Sequence, residues 1–355
     1  MDGKTVYYLP YRGEGEESFY KRVAETAEAQ GWWDFLQPRQ LVGVKTHFGE
    51  EGTEGFVSPF FFKLLASSLK KRKVLGFLTE TATLYTGHRS NAVEHLQLAY
   101  RHGFTYDEVG LPLIMADGLT GDEDVIVPIK GKFYTHVKIA SQVAKANALI
   151  VVSHMTGHAL SGYGGAVKNL GMGCASRKGK LSQHAVAQPV IKTKKCKGCG
   201  LCLRWCPRGA IRLEGEKAFI QKEVCIGCGE CLTVCRNGAV GFDWGETYER
   251  FQEKLTEYAW GVTQALRGKL FYITFLMKVT KDCDCMPAPL SRIVEDMGAV
   301  AGRDPIAVDS AALDLVERKA GRPLSEIAHA VPYRVQIEYA KELGFGQPDY
   351  RLVEL

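Results

Sequence analysis

The sequence predicts an α/β protein, with a mostly parallel, doubly wound sheet that carries a small inserted α+β unit. Three observations predict it. Short continuous apolar runs alternate with helical stretches on both sides of the middle of the chain, the pattern of strands buried on both faces. Eight of the eleven cysteines fall between Cys196 and Cys235, so a unit of different chemistry interrupts that alternation. Neither flank looks complete as a sheet alone. The expected division is one discontinuous body, residues 1–190 plus 244–355, around an inserted unit at 191–243.

Leu41 to Lys45 reads as the first short apolar strand. Pro59 to Lys70 reads as a helix, with Ser58 as cap and Pro at its first position. Val74 to Leu78 is a strand, and Ser90 to Arg101 a helix stopped at Gly103. Val125 to Ile129 is a strand, Thr135 to Ala146 a helix, and Ala148 to Val152 a buried strand. Beyond the cysteines, Thr247 to Leu266 is a helix ended by Gly268, and Leu270 to Met277 a strand. Asp304 to Ala320 and Tyr333 to Leu343 complete the set as helices. The Trp32–Trp33 pair, following an amphipathic helix, belongs to the core.

Composition narrows the function. With 355 residues, 46% hydrophobic and 24% charged, the chain is neither disordered nor fibrous. Its longest apolar run, Leu270 to Met277, is too short to span a bilayer. The N-terminal MDGKTVYYLPYRGEGEE has no basic, apolar and cleavable regions of a signal peptide. A cytoplasmic protein without membrane contact is the expectation. The formal net charge is +5. Residues 191–243 hold ten Lys and Arg against five Asp and Glu, and the remainder holds 35 of each. The excess therefore sits wholly in the cysteine-rich unit, where a basic nucleic-acid patch is the weaker of two readings, the other being charge offset by bound metal clusters.

The cytosol keeps thiols reduced, so clustered cysteines there point to metal rather than disulfides. CKGCGLCLRWCPRGAIRL, from Cys196, and CIGCGECLTVCRNGAVGF, from Cys225, repeat at an offset of 29 residues. Each carries C-x2-C-x2-C-x3-C. A tight loop of this spacing presents three thiolates to three irons of one cube, and its glycines let the chain wrap closely. The fourth cysteine of each motif points to the other cube. One ligand set is then Cys196, Cys199, Cys202 and Cys235. The other is Cys225, Cys228, Cys231 and Cys206. A zinc site needs four thiolates and has no use for this third-plus-shared-fourth arrangement.

The segment resembles the bacterial two-cluster ferredoxin domain over about residues 193 to 243. The resemblance implies two [4Fe-4S] clusters as cofactors. With their thiolates these would add about −4 when oxidised, bringing the protein near neutrality. Cys206 is followed by Pro207, as in that family, whereas Cys235 is followed by Arg236. Leu201, Ile211, Ile226 and Val240 are the expected apolar walls, and Trp205 is either a further wall or a surface residue.

In open α/β sheets, ligands sit beyond the carboxyl ends of the strands. Four such ends carry polar groups: KTHFGEEG with Lys45, His47, Glu50 and Glu51; TETATLYTGHRSN with Glu80, Thr81 and His88; SHMTGHALSGYGGAVKNLGMGC with His154, His158, Lys168, Asn169 and Cys174; and KVTKDCDCMP with Lys281, Cys283, Asp284 and Cys285. They are expected to meet at one cleft. KTHFGEEG, HMTGHALSGYGGAVKNLGMG, KDCDCMP and AGRDPIAVDSAALD make the chain similar to DUF362-type proteins, a family that often carries a ferredoxin module. The likeness spans both sides of the cysteine-rich unit and implies no settled reaction.

Each group has a functional and a plain reading. Gly157 to Gly173 either cradles an anion with backbone N–H groups, paired by Lys168, or is a flexible packing loop. It fits no nucleotide-binding pattern. His154 and His158, four apart, would share a helix face as metal ligands, although Gly157 works against a helix. Cys283 and Cys285, with Cys174 and a histidine, would hold an additional metal; the alternatives are a redox dithiol or two buried thiols near Pro287. Lys45 and His47 form an acid–base or anion-binding pair, or a solvated loop. Asp304 caps its helix, while Asp309 faces solvent or stabilises the helix start.

These expectations combine into an iron–sulfur electron-transfer protein, an oxidoreductase or redox accessory protein. Two clusters relay single electrons between a redox partner protein and a small-molecule site lined by Lys45, His47, His154, His158, Lys168, Cys283 and Cys285. The competing readings are a non-enzymatic carrier docking to a partner complex, and a metal- or cluster-handling protein.

Overall fold

The computed structural model describes residues 3–85, 87–184, 189–206, 208–225, 231, 234–241, 247–286 and 291–355. Its strands are β1 (Thr5–Pro10), β2 (Leu41–Lys45), β3 (Leu75–Glu80), β4 (Leu113–Met115), β5 (Asp124–Pro128), β6 (His136–Ala140), β7 (Ala148–His158), β8 (Gly162–Gly164), β9 (Val190–Ile191), β10 (Ile211–Glu214), β11 (Lys217–Ile220), β12 (Val240–Gly241), β13 (Leu270–Thr280), β14 (Gly298–Gly302) and β15 (Arg351–Glu354). The main sheet runs β15-β1-β14-β13-β7-β2-β3-β4, with β8 folded back on β7. β14 lies antiparallel to both of its neighbours, β1 and β13. The other pairs along that path are parallel, so the sheet is mixed and mostly parallel. β13 and β14 come from beyond the cysteine-rich stretch yet sit between β1 and β7, so both flanks build one sheet.

The central strands β7 and β13 are buried almost throughout, as their unbroken apolar runs require. Each face of the sheet has its own core. On one face, Phe19, Phe61 and Trp32 pack against Phe271 and Phe275, with Trp32 stacked on Phe271 at 5.1 Å. The helices Glu16–Ala29 and Pro59–Lys71 supply much of that layer. On the other face lie the helices Ala166–Gly171, Tyr248–Ala265 and Pro305–Ala320. Ser58 accepts the Phe60 N–H and Asp304 accepts those of Ile306 and Ala307, the caps their sequences foretell.

Three expectations need correction. The stretch 135–146 is not one helix; it is β6 followed by the short helix Ser141–Lys145. HVKIA alternates buried and accessible side chains and pairs with β5 in a separate antiparallel hairpin beneath the helix Tyr248–Ala265. The strand expected at 148–152 continues to His158, so His154 and His158 share a strand face rather than a helix face. Nor is the Gly-rich stretch a flexible loop. It forms the end of β7, then β8 and a buried helix.

Within the cysteine-rich stretch, β10 pairs with β11 and β9 with β12. Ile211, Ala218, Ile220, Ala239 and Val240 form a small separate core with Cys196, Cys202 and Cys231. Trp205 is exposed rather than a wall of that core. Pro207, Ile226, Cys228 and Pro287 lie outside the described residues.

Candidate functional site

A cavity of about 540 Å³ opens at the carboxyl ends of β2, β3, β7 and β13. Because these four strands are parallel neighbours, their ends deliver Lys45, Glu80, His154, His158 and, just past β13, Cys283 and Cys285 to one edge. His47 and Lys168 line it too. All seven residues expected to meet there are therefore together. Glu51, His88 and Lys281 are exposed outside the lining. Cys174 also lies outside it, fully buried; burial pushes its thiol up to about 12, and it donates to the Asn169 carbonyl.

Two chain segments meet at Cys283. The Lys168 ammonium donates to Cys283 Sγ at 3.1 Å, and the Cys285 backbone N–H donates to the same sulfur at 3.4 Å. The neighbouring Cys285 side chain, with help from Lys168, holds the Cys283 thiol well down, outweighing burial. The Cys285 thiol is pushed the other way, far up, by the Cys283 sulfur beside it and by burial. Gly157 makes the approach possible: a Cβ there would lie 2.1 Å from the Lys281 carbonyl, so β7 and the Cys283 turn touch backbone to backbone.

His158, Cys283 and Cys285 place ligand-capable atoms within 4.8 Å of one another. Two features work against a cation in this arrangement. Lys168 already sets a positive charge on Cys283. His158 Nδ1 accepts the N–H groups of Leu160 and Ser161 at 3.1 and 3.0 Å. Burial and Lys168 hold that ring neutral, so its proton resides on Nε2, the atom a metal would need bare.

The other lining groups are differentiated by their partners. His154 Nδ1 lies 2.7 Å from Asp284 Oδ2, and its Nε2 is 2.8 Å from the Met277 carbonyl. Both nitrogens face acceptors, so the ring is an imidazolium; burial opposes the charge, but Asp284 outweighs it. His47 is the opposite case. Burial, then Arg89, hold it well below the usual histidine range. Its Nδ1 accepts the Gly49 N–H at 3.0 Å, and its buried Nε2 has no hydrogen-bond partner. Lys45 is not in a solvated loop. It is 1% exposed and donates to Glu80 at 2.5 Å and Asn169 at 2.8 Å. Arg89 donates to the other Glu80 oxygen at 2.8 Å.

The Gly-rich stretch does turn backbone N–H groups onto an acidic group, but that group is the protein's own. The buried Asp309 carboxyl group accepts the N–H groups of Ala166 and Val167 at 2.7 and 3.0 Å, satisfying the start of the helix Ala166–Gly171. A Cβ on Gly165 would lie 2.5 Å from its Oδ1. Asp309 thus neither faces solvent nor stabilises its own helix start, and Lys168 is left to Cys283. Arg89, Arg177 and Lys180, absent from the sequence-derived candidates, also line the cavity. Arg89 follows the named but exposed His88 in TGHRSN, and nothing in that string tells which of the two turns inward.

The cysteine-rich unit closes the cavity from outside with Lys192, Lys195, Cys235, Gly238, Val240 and Gly241. Cys235 also lines a second, small cavity with Cys196, Cys199 and Cys202. N–H groups point at these sulfurs, Ala218 at Cys196 (3.4 Å) and Ala239 at Cys235 (3.2 Å). Burial alone would raise the Cys196 thiol, but N–H bonds from Ala218 and Gly198 and the Lys217 charge lower it. The Ala210 N–H likewise meets Cys206 at 3.2 Å. Cys206, Cys225 and Cys231 share the small core.

A protein of Thermotoga maritima solved by structural genomics is similar at 11% identity and a TM-score of 0.48, over 88% of this chain and 61% of that one. The lactate racemase apoprotein from Thermoanaerobacterium thermosaccharolyticum is similar at 12% identity and a TM-score of 0.46, over 89% of this chain and 57% of its own. This chain thus spans about three fifths of the length of those two. No curated protein matches it. The domain of unknown function DUF362 matches residues 42–314, which hold both motif repeats and every lining residue of the cavity, and the chain belongs to the DUF362 family.

Proposed function

We propose that this protein is an iron–sulfur electron-transfer protein. In this reading residues 191–243 form an inserted ferredoxin-like module that serves a site in the α/β body, in a cytoplasmic oxidoreductase or redox accessory protein. One observation carries it: Cys235 lines both the cavity shared with Cys196, Cys199 and Cys202 and the large cavity shared with Lys168, His154, Cys283 and Cys285. A group held by the first set would lie against the second site without a separate conduit.

The donor set fits [4Fe-4S] chemistry. Four thiols around one small cavity, with backbone N–H groups directed at Cys196 and Cys235, are what such a cluster needs for ligation and for tuning its potential. Cys206, Cys225, Cys228 and Cys231 would hold the second. Bound clusters would supply one-electron transfer. The chain's own part is to shield them, through Ile211, Ile220 and Val240, and to present Cys235 to the cavity.

A second reading is favoured by the exposed Trp205, Leu213 and Phe219 on this unit. In it the protein is a carrier that docks a redox partner there, and the body has no chemistry of its own.

Anaerobic purification with iron and acid-labile sulfide counting tests the proposal. About eight of each per chain is expected, with a loss in Cys235→Ser and none in Cys283→Ser. Zinc in place of iron, or no sulfide, would overturn it.

A further inference from the structure

Cys283 has an ammonium group within hydrogen-bond distance of its sulfur. It is buried and its sulfur accepts from two donors, the Lys168 ammonium and the Cys285 backbone N–H. A cation and an N–H placed at a sulfur favour its charged form. Cys283 also lines a cavity large enough for a small organic molecule. Five Lys and Arg side chains of the α/β body, Lys45, Arg89, Lys168, Arg177 and Lys180, line that cavity against two carboxylates, Glu80 and Asp284. Both carboxylates are already engaged, Glu80 with Lys45 and Arg89, and Asp284 with the His154 imidazolium. The surplus charge is therefore positive and faces the space beside the sulfur. His47 adds an independent sign of a ligand. Its Nε2 must carry the ring proton, and this buried donor has no acceptor in the protein.

We propose that Cys283 is a thiolate nucleophile and that the cavity takes a small anionic electrophile, its carboxylate or phosphate held by the basic lining and by His47 Nε2–H. In the step, the sulfur lone pair forms the new bond to the electrophilic carbon. The leaving group departs with the electron pair of the bond that breaks. The protein neither gains nor loses electrons. Lys168 keeps its proton and, once the sulfur charge is spent, turns it to the anion of the bound molecule. Cys285 is a positioning residue that stabilises the thiolate through its N–H. The inference stands on residues of the body alone. Alkylation of Cys283 and iron content therefore fail independently.

The test uses the anaerobically purified full chain and two alkylating probes, iodoacetate and iodoacetamide, with Cys283 followed by peptide mass mapping. At about pH 6.5, where an ordinary thiol is mostly protonated, Cys283 should react about tenfold or more faster than a free thiol. Iodoacetate should match or outpace iodoacetamide, because a cationic cleft concentrates the anion. Malonate and inorganic phosphate, added separately to the wild type, tell a carboxylate site from a phosphate site by which one protects. Lys168→Gln should lose both the rate and the anion preference, while Lys168→Arg keeps the preference. Cys285→Ser, which retains the backbone donor, should keep Cys283 reactive and guards against a folding defect in the lysine variants. The proposal is overturned if Cys283 reacts no faster than a free thiol, if the neutral reagent keeps its usual advantage, or if neither anion protects. It is equally overturned if Cys283 becomes reactive only after a chelator releases a stoichiometric metal ion.

Discussion

The Lys45 ammonium lies 2.5 Å from Glu80, and both side chains are almost wholly buried at the ends of adjacent parallel strands. Lys45 Nζ also donates to Asn169, while the second Glu80 oxygen takes Arg89. One carboxylate therefore ties β2, β3 and the 81–91 loop to the helix Ala166–Gly171. The Lys45 and Arg89 charges hold its carboxyl far below the usual range, against the effect of burial. Removing it strands two cations. Glu80→Ala is expected to cost about 3–5 kcal/mol, the penalty for breaking a buried pair, read as a lower urea midpoint at neutral pH.

Asp309 gives a pH dependence of definite sign. Burial pushes its carboxyl up to about 7 from 3.8, against the N–H groups of Val167 and Ala166. Between these values the folded state binds the proton and the unfolded chain does not, so this group's contribution to stability falls as pH rises from about 4 to about 7. Asp309→Asn, close in shape to the protonated acid, should remove that slope. Urea midpoints measured across this range for both proteins check it; an unchanged slope in the variant refutes it.

The charge on His154 depends on Asp284. With Asp284 in place, the imidazole keeps its proton above the ordinary histidine range. The raised value makes the pair's stabilisation complete in acid and lost as pH rises through the folded value. In Asp284→Asn, burial should outweigh what the Met277 carbonyl and Cys283 still supply, and the ring should be neutral at pH 7. Histidine ring resonances followed by NMR would show the shift; a ring that stays charged in the variant would mean that the Met277 carbonyl and Cys283 suffice.

The small core around Ile211, Ile220 and Val240 is too slight to hold itself. On the iron–sulfur reading, stripping the metal should open this unit while the body stays closed. Hydrogen exchange at β10 and β11 should accelerate by about a hundredfold or more, corresponding to roughly 3 kcal/mol of local stability. Amides of β7 and β13 should be unaffected. Equal loss of protection in both regions would show that the two are one cooperative unit.

Gly157 is the point where β7 meets the turn carrying Cys283. Gly157→Ala forces a methyl against the Lys281 carbonyl. It should destabilise the fold by about 1–3 kcal/mol and slow alkylation of Cys283, because the turn must move away from Lys168. A variant with wild-type stability and reactivity would show that the turn has room to give.

Much of this protein was settled by local pattern. Apolar runs long enough to be buried on both faces marked β2, β7 and β13, and cap residues such as Ser58 and Asp304 marked helix starts. The twin cysteine spacing marked a unit distinct from the α/β body, and the strand-end rule grouped Lys45, His47, His154, His158, Lys168, Cys283 and Cys285. Tertiary structure decided the rest. HVKIA became a strand because β5 offered it a ladder, and a helix-like stretch cannot anticipate that partner. The Gly-rich segment became a cradle for Asp309, some 140 residues away. Lys168 was thereby left to Cys283, at a separation of 115 residues. Identical residue types also parted in role: His154 is charged by Asp284, whereas His47 and His158 are kept neutral by burial and nearby cations. Periodicity and capping act over a few residues and can be read along the chain. The charge state and partner of a buried polar group depend on what the fold brings to it, and only the packed structure supplies that.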